Sequence, residues 1–285
     1  MVALRGVILV NPYSGPDSTD AEAIEAAVPG HRVETCEPDE LGERARAAVA
    51  AGAGFVGVAG SDGTIRSVAD EIRDTDVALL AIPAGTRNHF ARELGLGDLD
   101  AVADAVAGGR RRRIDLGEVN GECFVNNASI GLYPRIVIRR EAYERRLRKP
   151  VANVIAVYEQ LRHGRRFRVE VDGDEVWAWM IFVGNGRYGE GLLDLTDREG
   201  LDEHVLDVRV VRADRPVARL RVVLALLLGR LARSPLVERR TTTSVRLELP
   251  RPSIEVALDG EVEFLDCPLE FTSQRQALAV ISPPD

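Results

Sequence analysis

Three short turns, each directly after an apolar run, constrain this chain more than any other feature. Residues 6–10 (GVILV) lead into NPYSG at 11–15, residues 55–59 (FVGVA) into GSDGT at 60–64, and residues 79–82 (LLAI) into PAGTRN at 83–88. Helical composition fills the intervals at 19–28, 38–51 and 64–72, and a fourth helix is expected from 86 to 94. The first ends at Pro29-Gly30, and the second carries Pro38 near its start. A further short strand is expected at 32–36. Short apolar strands separated by helices predict a parallel sheet covered on both faces.

In such a sheet the turns lie at the carboxyl ends of the strands, where ligands bind. Glycines let backbone approach an anion closely, and the next helix offers unpaired N–H groups and partial positive charge. Thr64 and Thr86 add hydroxyl donors. Three such turns at matching strand ends point to a nucleotide. Asp62 is then an oddity, because a carboxylate repels phosphate unless a cation lies between them. Either it works through Mg²⁺, or it shapes the loop as an Asx-turn.

The character changes after Arg110-Arg-Arg-Arg113. Strand-like segments follow at 167–171, 176–183, 205–211, 245–249, 254–258 and 262–265, with Asp-Gly hairpin signals at 172–173 and 259–260. Helical pieces are expected near 135–148, 151–161 and 216–232. This half reads as a mainly antiparallel β domain, with a boundary near 115–122.

Composition narrows the function classes. The 285 residues carry a net charge of −8, which argues against a general nucleic-acid binder. Eleven basic and three acidic residues crowd between Arg135 and Arg168. That cluster suits an anionic lipid surface, or is simply a solvated helical face. The single lysine, Lys149, precedes Pro150, so GxxxxGK[ST] is absent and any phosphoryl transfer needs another phosphate cradle. The longest apolar run, 222–228, is far short of a membrane span. Three scattered cysteines (Cys36, Cys123, Cys267) without CxxC point to a reducing cytoplasm. Residues 215–233 would place Arg215, Arg219, Arg230 and Arg233 on one helical stripe, resting on a bilayer or packed on the β domain. Apolar residues between Ile130 and Val157 line either an acyl pocket or a core. His31, His89 and His163 read as surface or structural.

NPYSG, GSDGT and PAGTRNHFARELGL, at this spacing, closely resemble the diacylglycerol kinase catalytic domain family of soluble lipid kinases, related to NAD kinases and 6-phosphofructokinases. The likeness continues through IDLG (114–117), FVNNASIG (124–131), GNG (184–186), LDEHVLDV (201–208) and LDGE (258–261). It implies an α/β nucleotide-binding domain at 1–118 with a Rossmann-like, three-layered parallel sheet. A mainly antiparallel, β-sandwich-like lipid domain follows at 119–272, and the segment 273–285, with strand 277–281, returns to the first domain. The site is then the cleft between the two. The resemblance implies that Asn11, Gly60, Ser61, Asp62, Gly63, Thr64, Gly85, Thr86 and Asn88 hold ATP, and that Asp62 holds Mg²⁺. It makes Asp259 the general base on a lipid hydroxyl, with Glu261 beside it. From the residues alone Asp259-Gly260 is equally well a hairpin turn, like Asp172-Gly173.

The expected activity is transfer of the γ-phosphoryl group to a diacylglycerol-like lipid, with a sphingoid-like acceptor second. NAD kinase and a catalytically weak ATP- or lipid-binding homologue are the alternatives. Expected surroundings are the cytoplasm and the inner membrane face, with a homodimer left open. The chain departs from the family pattern at three places. Ser61 replaces the second glycine of GGDGT, Arg66-Ser67 replaces Asn-Glu, and Asp202-Glu203-His204 replaces the Asp-Asp-Gly of a structural-metal segment. Glu203 is the candidate ligand there, with a longer arm than aspartate.

Overall fold

The computed structural model describes residues 6–14, 21–85, 88–131, 166–189, 198–213 and 237–284. The chain forms two compact units. One comprises Met1–Leu116, Glu122–Asn126 and Gln274–Asp285, the other Gly117–Gly121 and Asn127–Ser273.

In the first unit β1 (Gly6–Val10), β2 (Arg32–Thr35), β3 (Phe55–Gly60) and β4 (Ala78–Pro83) are parallel, joined on the β4 side by the end of β15 (Leu269–Ser282). The strand order is β15-β4-β3-β1-β2. β3 is buried along its whole length, so both faces of the sheet are covered. The covering helices are α1 (Ala21–Ala27), α2 (Leu41–Ala50), α3 (Asp62–Ile72), α4 (His89–Glu93) and α5 (Leu99–Gly108). α2 packs on α3, α1 on α5, and α4 and α5 on β4. α3 shows why these elements form. Ile65, Val68, Ala69 and Ile72 recur on one face and are all fully buried. Burying each large aliphatic side chain contributes roughly 1.5–3 kcal/mol.

The second unit is antiparallel. β9 (Asp174–Asn185) is its hub, pairing β8 (Phe167–Val171) with its first half and β7 (Asn127–Gly131) with its second. β10 (Leu206–Arg212) lies on β9 and carries β11 (Val237–Thr242). β12 (Ser244–Glu248) joins β8 to the first part of β15, while β13 (Ser253–Leu258) joins β7 to β14 (Glu261–Asp266). Asp172-Gly173 and Asp259-Gly260 both turn with positive φ at each residue, as a type I′ hairpin requires. Asn120-Gly121 does the same between β5 (Arg110–Val119) and β6 (Glu122–Phe124).

The fold class expected from the sequence is therefore observed, an α/β unit with a parallel sheet and an antiparallel β unit. Several local expectations need correction. The second helix starts at Leu41, because residues 38–40 form a turn closed by the Glu40 N–H on Glu37. The helix expected over 86–94 is helical only at His89–Glu93, since Asn88 is left-handed. The arginine run, after which the character of the sequence changes, is the start of β5. Helix α5 and strands β5, β6, β7 and β11 were not anticipated. Thr86, the expected helices within 132–165 and the arginine-striped segment 215–233 lie outside the described residues. Cys36, Cys123 and Cys267 are free thiols. Among the described residues no helix is long and apolar enough to cross a membrane.

Candidate active site

In the first unit the loops after β1, β3 and β4 meet at the start of α3, the first two on Thr64 and the third on Ser61 and Asp62. Asn11, buried at the end of β1, donates from Nδ2 to Thr64 Oγ1 at 3.1 Å. Its Oδ1 accepts the Tyr13 N–H at 2.9 Å, which folds the NPYSG turn back on itself. Ser14 Oγ lies 3.5 Å and Ser61 Oγ 3.1 Å from the same threonine hydroxyl. Thr64 thus ties the β1 loop to the β3 loop. Gly60 is needed for this, since a Cβ there would fall 2.4 Å from the Thr64 methyl group.

Ser61, the departure from a glycine, sits at φ −73 and ψ 170. This extended backbone suits any residue, so its Cβ brings no strain. Its side chain caps α3 by accepting the Thr64 N–H at 3.4 Å. With Thr64 capped and the Ile65 N–H on the Ser61 carbonyl, the N–H groups of Asp62 and Gly63 have no partner within the helix. An anion placed at this helix end would meet both N–H groups and the positive end of the helix dipole.

The β4 loop is locked against this helix start. Gly85 donates its N–H to Asn88 Oδ1 at 2.7 Å, and Asn88 is left-handed at φ 47. A Cβ on Gly85 would lie 3.0 Å from Ser61 Cα, so the two loop backbones approach closely and a side chain there would have to push them apart by a few tenths of an ångström. Asp62 completes the join. Its Oδ1 accepts the Phe90 N–H at 3.2 Å and its Oδ2 the His89 N–H at 3.4 Å, so one carboxylate caps α4 from outside the helix. This is neither the Asx-turn weighed for Asp62 nor in conflict with cation binding, because each carboxylate oxygen can take a second partner. Arg66 and Ser67, the departures from Asn-Glu, bond within the first unit. Arg66 is buried, with Nη1 3.5 Å from the Cys123 carbonyl, and Ser67 returns its hydroxyl to the Gly63 carbonyl at 3.2 Å.

The second unit holds the other candidates. Asp259 occupies the β13–β14 turn at φ 51. It accepts the Asn127 N–H on Oδ1 at 3.0 Å and donates its own N–H to the Asn127 carbonyl at 2.9 Å. Glu261 is exposed at the start of β14. Glu203 lies ahead of β10 in sequence, with Oε2 3.6 Å from Arg187 Nε. Among the described residues no three Cys, His, Asp or Glu side chains gather as a metal site.

Asn11, Gly60, Ser61, Asp62, Gly63, Thr64, Gly85 and Asn88 thus lie in one cluster, while Asp259 and Glu261 share one hairpin. Ser14 and the amides of His89 and Phe90 were missed as partners. Ser14 stood in the NPYSG motif and was open to recognition, whereas nothing in sequence spacing shows an amide reaching a carboxylate 28 residues away.

The first unit is of the class that binds phosphate at the ends of parallel strands, joined to an antiparallel β unit. Residues 5–119 match the diacylglycerol kinase catalytic domain, and residues 135–282 match the YegS C-terminal NAD kinase beta sandwich-like domain. A diacylglycerol kinase of Mycobacterium tuberculosis is 33% identical over 83% of this chain and 79% of its own length. A Pseudomonas fluorescens protein named "Probable lipid kinase YegS-like" is 30% identical over 93% of this chain and 92% of its own. The crystal structure of a diacylglycerol kinase from Bacillus anthracis str. Sterne superposes with a TM-score of 0.70 at 18% identity, covering 100% of this chain and 98% of that one. The chain belongs to the diacylglycerol kinase and YegS-like family of lipid kinases. Membership in a kinase family implies ATP as a substrate.

Proposed function

We propose that the protein transfers the γ-phosphoryl group of ATP to the hydroxyl of a diacylglycerol-like lipid. The observation that carries this reading is the meeting of three strand-end loops at the start of α3, where Thr64, Ser61 and Asp62 tie them together. In this reading residues 1–118 and 273–285 handle the nucleotide and residues 119–272 the lipid.

The backbone amides of Asp62 and Gly63 hold phosphate oxygens, and Gly60 and Gly85 allow the close approach. Asn11, Ser61, Thr64 and Asn88 hold the loops in shape around them, and Thr86 adds a hydroxyl. Asp62 holds Mg²⁺, whose charge offsets that of the phosphates. Asp259 accepts the proton of the lipid hydroxyl, with Glu261 beside it. The freed oxygen forms a bond to the γ-phosphorus, the bond to the β-phosphate oxygen breaks, and ADP leaves with that electron pair. Support for Asp259 comes from its fixed placement, because the Asn127 amide holds one carboxylate oxygen in the turn. The lipid is met at the inner surface of a membrane by a cytoplasmic enzyme.

The test is an assay of the purified protein with Mg·ATP on a mixed-micelle panel of diacylglycerol, a sphingoid base and, as a soluble control, NAD. Phosphatidic acid is the expected product. Phosphorylation of NAD alone moves the protein to the NAD kinase reading, and ATP binding without turnover on any acceptor overturns the kinase assignment.

A further inference from the structure

The segment before β10 is where resemblance implies a structural divalent cation, and the residues present do not suit one. Hard cations are held by carboxylate and carbonyl oxygens. Around the loop that follows β9, the carbonyls of Asn185, Tyr188 and Gly189 and the carboxylates of Asp207 and Glu203 all face guanidinium groups, while the Asp202 side chain is exposed. Arg198 Nη1 donates to the Asn185 carbonyl at 2.8 Å. Arg209 Nη2 donates to the carbonyls of Tyr188 and Gly189 at 3.0 and 2.9 Å, and to Asp207 Oδ2 at 2.6 Å. Arg239 Nη2 reaches the same Gly189 carbonyl at 2.7 Å. Glu203, the nominal ligand, is paired with Arg187.

Arg209 is the centre of this arrangement. It is completely buried, and its Nε also faces both oxygens of Asp207 at 3.2 and 3.1 Å. Phe182, its register partner on β9, offers a ring face 5.6 Å from the guanidinium carbon. Asp207 Oδ2 in turn accepts the Tyr188 N–H at 3.2 Å. A planar cation with five donors therefore joins one carboxylate to two loop carbonyls, which is the work a bound metal ion does elsewhere.

We infer that guanidinium groups serve as the structural cation of the second unit, with Arg209 at the centre and Arg187, Arg198 and Arg239 around it. The loop from Asn185 to Gly189 is held to β10 and β11 without a divalent ion. The inference is independent of the acceptor and of catalysis.

The test is thermal melting of the full-length protein without nucleotide, in EDTA and in millimolar Mg²⁺ or Ca²⁺. The midpoint is expected to agree within ~1 °C across the three conditions. A fall of several degrees in EDTA, reversed by either ion and still present in Asp62→Asn, overturns the inference. A fall abolished by Asp62→Asn traces the ion to the first unit and leaves the inference supported. In the Arg209→Met variant the carboxylate and the loop carbonyls lose their donor. Its midpoint should drop by ~10 °C, and added Ca²⁺ should raise it. An Arg209→Met protein that melts with the wild type also overturns the inference. If that variant does not fold, the chelation series on the wild type decides.

Discussion

Asp62-Gly63 and Asp259-Gly260 are the same dipeptide at the end of a buried strand, and they do opposite things. The first opens a helix, and its carboxylate reaches forward to the amides of α4. The second reverses the chain with φ 51 and φ 96, and its carboxylate reaches sideways to the Asn127 amide. The difference lies in what surrounds each pair. Ser61 and a helical apolar pattern follow the rules for a helix start. Alternating strands on either side of 259–260 demand a I′ turn. In both places the aspartate closes a gap between two segments distant in sequence, so each is structural before it is chemical.

Experiments can separate the two layers of that comparison. The largest effect is expected from Asp259→Asn, which keeps a turn-compatible side chain but removes the proposed base. Its kcat should fall ~10²–10⁴-fold with an unchanged melting midpoint. Asp172→Asn is its control, because Asp172 sits in a matching I′ turn, where it accepts the Arg246 N–H at 2.7 Å. That variant should retain full activity, and an equal loss in both would assign Asp259 a folding role alone.

Next in size is Gly85→Ala, which drives a methyl group against the β3 loop. ATP affinity by calorimetry should weaken by about tenfold or more, the scale of 1–2 kcal/mol for forced overpacking. Asp62→Ala removes the acceptor for two amides of α4. It should cost about 1–3 kcal/mol in urea unfolding besides any loss of Mg²⁺ dependence, whereas Asp62→Asn should recover part of the stability. Ser61→Ala deletes the α3 cap and should cost about 1 kcal/mol, but Ser61→Gly, the residue usual in the family, only a few tenths.

The smallest effect concerns His31. Burial holds its pKa below the ordinary 6.5, and its Nδ1 accepts the Gly6 N–H at 3.2 Å. The unfolded chain therefore binds a proton more readily than the fold. The stability that His31 contributes is complete above pH 6.5 and declines as pH falls from there toward the lowered folded value. His31→Asn should flatten that slope in a pH series of urea midpoints.

Much of the first unit was legible because β1, β3 and β4 are apolar runs punctuated by glycine and proline, a pattern that leaves few alternatives. β11 escaped notice for the contrary reason. It is an edge strand, VERRTT, paired among the described residues with β10, and none of its residues is buried, so no apolar alternation marks it. The start of β5 was hidden by charge, since Arg110, Arg111 and Arg112 are exposed, Arg111 donating to the Gly54 carbonyl, and Arg113 donates to the carbonyls of Thr75 and Gln276. Asn120-Gly121 carried the same turn signal as the two Asp-Gly pairs and could have been read with them.

Local pattern alone settled the class of both units, the three loops and the hairpin turns, because hydrophobic period, glycine and capping residues act over a few neighbours. Tertiary structure alone decided who meets whom. Asp62 finds α4, Asp259 finds Asn127, and Arg209 finds the carbonyls of a loop 20 residues away. Such pairings depend on which strands lie side by side, and a polar side chain carries no mark of its distant partner until packing brings the two within hydrogen-bond reach.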